Sequence, residues 1–307
     1  MTRAGIYFLL IFLYTASAAQ ELQVTHLTCD GRIDPAGIER AAPGLSWQLQ
    51  SDTRDVWQTA YRILVADDSA LLHKDRGNLW DSKKIEASAS LHVPYKGKKL
   101  QPARTYYWKV MVWDNKKRQS TWSRIARFQT GLFTTADWKG AKWIALETLP
   151  DSLKMVPAEH SRGDKKYWHI KNTLPLLRKS FAVKKSIAQA TLFICGLGHF
   201  ELHLNGKKVG DHFLDPGWTK YDKEALYVPF DVTHYLQQCN NAIGVLLGNG
   251  FYFIPRERYR KLTGAFGFPK LIARLHIRYQ DGSTAEVISD ESWKAAASPI
   301  TFSSIYG

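Results

Sequence analysis

The densest collection of chemically useful side chains lies in the run Asp211-His-Phe-Leu-Asp215-Pro-Gly-Trp218-Thr-Lys-Tyr221-Asp222. A flat ring can stack on the apolar face of a pyranose, and carboxylates or amides can address its hydroxyls, directly or through a calcium ion. On that chemistry Trp218 is the candidate platform and Tyr221 a second ring. Asp215 and Asp222 are candidate hydroxyl acceptors or calcium ligands, and Asn249 and Tyr252 would add an amide and a ring from a neighbouring loop. The same residues also fit a plainer reading, in which Trp218 plugs a sheet edge and Asp215-Pro-Gly is only a turn. Both readings stay open on the sequence.

A second cluster, Arg256, Arg258, Arg260 and Lys261 around Tyr259, follows Gly248-Asn249-Gly250. Guanidinium groups pair bidentately with carboxylates, so Arg256 and Arg258 are candidates for reading the uronate units of an acidic glycan such as pectin. A solvated loop is the competing account. Cutting a glycosidic bond by inversion would need an acid and a base carboxyl roughly 6.5–9.5 Å apart. Asp215, Asp222 and Glu224 cluster, as do Asp290 and Glu291, but all sit in turn contexts beside Pro, Gly or Lys. They read as solvated loop carboxylates, and no catalytic residue is assigned.

The elements that must position these groups read as strands. Phe200, Leu202 and Leu204 alternate with Glu201 and His203, and Asn205-Gly206 then supplies the dipeptide preferred in two-residue hairpins. Asp281-Gly282 closes another hairpin, and Asp231–Leu236 has the look of one short helix capped by Asp231. Upstream, Tyr61, Ile63 and Val65 share one face, and Tyr106, Trp108, Val110 and Val112 share another, with Lys109 expected outward. Helical periodicity is nearly absent. The expected class is all-β, a fibronectin-III-like β-sandwich followed by a jelly-roll β-sandwich. Residues 22–132 form the first module and 177–307 the second. Residues 133–176 are expected to be linker, a long loop over 147–172 and the first strand of the next module.

Composition sets the compartment. The chain has 307 residues, 42 Lys and Arg against 28 Asp and Glu, a formal charge of +14, and 13% aromatic residues. Arg3, the apolar run Ile6–Tyr14 and Ala16-Ser17-Ala18 read as a secretory signal peptide over residues 1–18, giving a secreted or periplasmic protein. No later run is long and apolar enough for a membrane span. Basic charge favours polyanions, but no nucleic-acid-binding signature is present, so nucleic acid is not an expected partner. Cys29, Cys195 and Cys239 make neither a disulfide framework nor a zinc site. Cys195 reads as a small buried hydrophobe, with a Cys29–Cys239 bridge the one pairing left open. Arg162-Gly-Asp164 is short enough to arise by chance.

The order of motifs adds a resemblance. Phe200-Glu-Leu-His-Leu-Asn-Gly-Lys-Lys-Val-Gly-Asp211, Leu214-Asp-Pro-Gly-Trp-Thr219, Tyr221-Asp-Lys223, Phe230-Asp-Val-Thr233 and Asn241–Tyr252 resemble the N-terminal jelly-roll module of bacterial α-L-rhamnosidases, glycoside hydrolase family 78. Leu27–Gly31, Leu45-Ser-Trp47, Gln58–Arg62, Leu79–Ser82, Tyr106–Val110 and Trp122-Ser123 resemble the fibronectin-III-like domain before it. In that family an (α/α)6 barrel follows and carries the hydrolytic acids. The resemblance therefore implies a non-catalytic N-terminal portion of a secreted α-L-rhamnosidase. Its partners would be a rhamnose-containing glycan and the catalytic barrel, and its task glycan binding or barrel support. Two alternatives are a stand-alone carbohydrate-binding protein and a scaffold domain without sugar affinity. The scaffold would expose an apolar patch where its partner docks.

Overall fold

The computed structural model describes residues 22–151, 154–159, 173–254 and 262–303. The expected signal peptide, Arg162-Gly-Asp164 and the basic cluster with Arg256 and Arg258 lie outside the described residues. The chain divides into two units. Among the described residues, one holds 22–34, Ala42–Lys99 and Tyr106–Phe128; the other holds Pro35–Ala41, Leu100–Thr105 and those from Gln129 on.

The first unit is a two-sheet antiparallel sandwich. Strands β1 (Gln23–Cys29), β2 (Gly44–Gln50) and β6 (Val93–Pro94) form one sheet. The other runs β4 (Trp80–Asp81), β3 (Gln58–Ala66), β7 (Thr105–Asp114), β8 (Ala126–Gln129), with β5 (Ile85–Glu86) also on β3. Leu45, Trp47, Ile63, Trp108, Val110 and Phe128 are buried to within about 1% exposure. Trp47 Nε1 donates to Gln58 Oε1 at 2.9 Å, and the Gln58 amide donates to the carbonyls of Ala87 and Ala89. A buried indole N–H and a buried amide are thereby satisfied together.

Lys109 departs from expectation: it is 5% exposed. A short helix, α1 (Ser69–His73), lies on that face of the sheet, and Leu72 closes a second small core with Leu64 and Ala66. The Lys109 ammonium donates to the Leu72 carbonyl at 2.6 Å, pairs with Asp75, and lies 4.5 Å from the Trp122 ring centroid. An alternating strand pattern predicts a wet face only where nothing is laid over it.

In the second unit one sheet has the order β14 (Lys207–Lys208), β13 (His199–Leu204), β16 (Cys239–Gly248), β11 (Pro175–Val183), β21 (Lys294–Ala297). The facing sheet runs β15 (Val228–Asp231), β12 (Ile187–Leu197), β19 (Lys270–Tyr279), β20 (Thr284–Ile288), with β9 (Ile144–Ala145) also on β19. A smaller sheet joins β10 (Met155–Glu159), β18 (Leu262–Ala265) and β17 (Phe253–Ile254). The stretch 147–172, expected to be a loop, thus contributes a strand. The expected helix after Asp231 is one 3₁₀ turn, Thr233–Tyr235, and Asp231 Oδ1 accepts from the Thr233 amide and hydroxyl. Asn205 and Gly206 hold φ of +52° and +79°, the left-handed pair that a tight hairpin turn requires. No disulfide forms: Cys29 and Cys195 are buried as free thiols and Cys239 is exposed. Burial pushes the Cys29 and Cys195 thiols up to about 12.

Arg274 in β19 is 3% exposed and charged, so its partners matter. Its guanidinium donates twice to Glu286, at 3.0 and 2.8 Å, and to the Asp137 carbonyl, while His276 Nδ1 lies 2.7 Å from Glu286. Burial alone raises the Glu286 carboxyl, but the hydrogen bonds from His276 and Arg274 outweigh it and hold the group below the ordinary glutamate value of 4.5. A carboxylate held down in the folded state stabilises the fold above its unfolded value and loses that contribution as the pH falls through the folded one. The thermal unfolding midpoint should therefore fall as the pH is lowered from about 5 to about 3, and Glu286→Gln should flatten that fall. An equally steep fall in the variant would place the acid sensitivity elsewhere.

Candidate functional site

The loop between β14 and β15 carries the candidate residues, and the structure distributes them. Its start is pinned to the sheet: the Phe200 amide donates to the Asp215 carbonyl at 2.8 Å, and Asp215–Pro216 is a cis peptide. The Asp215 carboxylate meets His212, with Nδ1 and Oδ2 2.8 Å apart. Asp222 lies exposed further along, where the Lys223 and Glu224 amides both donate to the Lys220 carbonyl.

Trp218 stands out of this loop, 57% exposed. It is not loose: its ring lies on the Phe251 ring, centroids 4.3 Å apart and planes within 7°. A stacked pair of this kind contributes about 0.5–1.5 kcal/mol beyond its buried area and fixes the orientation of the exposed ring. Phe251 is a partner that the sequence did not single out.

Tyr221, Tyr252 and Asn249 point to the interior. Tyr252 is 5% exposed, packed edge-on against Tyr221 and stacked on Phe266, in a cluster with Cys195, Leu197 and Ile272. Burial pushes both tyrosine hydroxyls up to about 12. The Tyr221 hydroxyl is buried with no hydrogen-bond partner among the described residues. Asn249 is 2% exposed and its amide donates to the Ser303 carbonyl at 2.8 Å. These three side chains therefore meet protein where the structure describes them. Trp218, alone among the candidate rings, is open to solvent.

Asp215 also lines a separate cleft of about 560 Å3. Its walls are the β13–β16 end of the sheet with Glu201 and Leu246, the loop residues Phe213 and Leu214, and the chain after β21 with Ile300 and Phe302. None of these apolar residues was a sequence candidate. The signal available was a pair of consecutive apolar residues, Phe213-Leu214, set between Gly210 and Pro216 in a polar loop.

Carboxylates over the rest of the described chain are committed to partners or open to water. Glu291 pairs with Lys142, Asp290 accepts from Ser292, and Asp81 takes two bonds from Arg62, which hold its carboxyl well below the usual range. Among the described residues no group of three or more His, Cys, Asp or Glu side chains is placed to hold a metal ion.

The orphaned Tyr221 hydroxyl generates a test. Tyr221→Phe removes a buried hydroxyl that satisfies no partner, so the variant should be neutral or more stable by up to about 1 kcal/mol in urea unfolding. A loss of stability of that size would show that the hydroxyl is engaged.

The comparisons with known proteins agree with the all-β fold. Residues 24–134 match the family described as Rha78A-like, N-terminal immunoglobulin domain, and residues 185–307 match Alpha-L-rhamnosidase N-terminal domain. An α-L-rhamnosidase of Formosa agariphila is 36% identical over 315 residues, covering 99% of this chain and 33% of that protein. The solved α-L-rhamnosidase from Dictyoglumus thermophilum superposes with a TM-score of 0.78 at 35% identity, over 92% of this chain and 30% of that one. The Streptomyces avermitilis α-L-rhamnosidase complexed with L-rhamnose shares the fold, with a TM-score of 0.76 at 21% identity, over 91% of this chain and 41% of that one. The chain spans about a third of the length of the first two. Two matched N-terminal modules, in the expected order and in an all-β chain, make the chain similar to the N-terminal portion of α-L-rhamnosidases.

Proposed function

We propose that this chain serves an α-L-rhamnosidase as a non-catalytic glycan-holding part, with the exposed Trp218 ring as its sugar platform. The observation that carries the reading is the Trp218–Phe251 stack, a ring 57% exposed yet fixed in orientation. Pre-fixing a ring lowers the ordering cost of binding, the quality a sugar platform needs. Asp222 and Lys220 lie on the same loop as hydrogen-bonding groups for hydroxyls. Asp215 is engaged by His212, and the described residues assemble no metal-holding group, so the reading rests on the ring and not on calcium. Substrate class follows from the relatives' activity: a rhamnose-containing glycan, with hydrolysis left to polypeptide outside these modules. The charge of +14 supports an acidic glycan of pectic type. Export guided by residues 1–18 would bring the protein to such a glycan.

Titration calorimetry of the chain with rhamnose-bearing oligosaccharides tests this. Weak binding is expected, and Trp218→Ala should weaken it about tenfold or more, a stacking loss of about 1.4 kcal/mol. Thermal stability should fall only modestly, by about the 0.5–1.5 kcal/mol of the lost Phe251 stack. Affinity unchanged in Trp218→Ala would remove the platform. Release of aryl alcohol from an aryl α-L-rhamnoside by the purified chain would overturn the non-catalytic assignment.

A further inference from the structure

The 560 Å3 cleft is lined mainly by apolar surface. Phe213 is 81% exposed and Leu214 70%, and Ile300 and Phe302 line the same cleft at 40% and 49%. Four large apolar side chains around one cleft exceed the scattered hydrophobes of an ordinary surface. The charged groups in its wall already have partners. Glu201 lies 3.3 Å from Lys208 and 3.4 Å from His203, Asp215 meets His212, and the Lys208 ammonium sits 4.3 Å from the Phe213 ring centroid. A glycan would need several open donors and acceptors for its hydroxyls; here the charged groups are engaged, and His199 Nδ1, also in the wall, is buried without a hydrogen-bond partner among the described residues. Leu214 also holds φ of +59°, a left-handed conformation unfavourable for a bulky residue. The fold thus spends conformational energy on a loop that leaves an apolar pair in water.

We infer that this cleft is the docking surface for the polypeptide that follows the N-terminal modules in α-L-rhamnosidases, which seats an apolar protein segment against Phe213, Leu214, Ile300 and Phe302. The relatives carry roughly two thirds of their length outside the matched part. The segment leaving β21 forms one wall of the cleft: the Ser298 amide donates to the Leu174 carbonyl at 2.9 Å, and further on Asn249 anchors the Ser303 carbonyl. Polypeptide continuing from that wall is tethered beside the cleft, and a short tether gives an effective concentration in the millimolar range. A contact well under the ~1,200 Å2 of a free complex then stays closed. A second copy of the chain and a free glycan lack that tether. An exposed aromatic is a usual energetic anchor of such a contact, and here the most exposed one is Phe213. Trp218 does not line the cleft, so this inference and the sugar platform stand or fall separately.

The test is hydrogen exchange on a chimera in which this chain replaces the matched third of the Formosa agariphila relative, compared with the chain alone at equal concentration. Exchange over 208–215 and 298–303 should slow about tenfold or more in the chimera. Phe213→Asp in the chimera should restore the free-chain rate there while leaving β12 and β19 unchanged. If that variant does not fold, the comparison of the two unmutated proteins decides alone. Equal exchange in chimera and free chain would overturn the inference. So would protection of the free chain that rises with its own concentration, which would assign the cleft to a second copy, or protection by L-rhamnose alone, which would assign it to sugar.

Discussion

In the second unit Leu192, Ile194, Leu275 and Ile277 of one sheet meet Leu202, Leu204, Ile243 and Val245 of the other, and none of them is more than 2% exposed. Side chains alternate along a strand, so turning this set inward turns its neighbours outward and leaves no freedom about which they are. Glu201 and His203 are held on the outer face because Phe200, Leu202 and Leu204 are in. Slipping the register by one residue would bury two ionisable side chains and expose three apolar ones. What is left open at the surface is what this core excludes, together with the loops that join its strands.

Loops escape that parity, and the candidate residues collect there. The β14–β15 loop is tied down at Asp215 by a backbone bond from Phe200, and on either side of that tie its side chains are distributed by local packing. Phe213 and Leu214 go to the cleft, Trp218 to Phe251, and Tyr221 to Tyr252 and Phe266. One short stretch therefore feeds a cleft, an exposed ring and an interior cluster. A continuous reading of it as one binding loop merges surfaces that the fold keeps apart.

The same distinction separates what was legible from what was not. The β13 alternation and its Asn205-Gly206 turn are local signals, and the strand appears with inward and outward residues as the pattern requires. The two-sandwich class follows from many such strands. Lys109 was misjudged because its burial comes from α1, an element whose placement no pattern in β7 encodes. Strand β10 was missed because its pairing partner, β18, lies far along the chain, and an edge pairing of that kind overrides a loop-like composition. Tyr252 was a candidate in a segment without periodicity, where nothing in the sequence says which neighbouring ring turns in. Tyr252 is interior and Phe251 supports the exposed indole.

The three thiols have a practical corollary. Cys29 and Cys195 are sealed in the interior, with deprotonation opposed by burial, whereas Cys239 opens β16 at the surface. Thiolate is the species that attacks a maleimide. A fluorophore or spin label offered to the folded, unmodified chain should accordingly attach at Cys239, giving distance measurements within the second unit a native single-site anchor without any engineered cysteine.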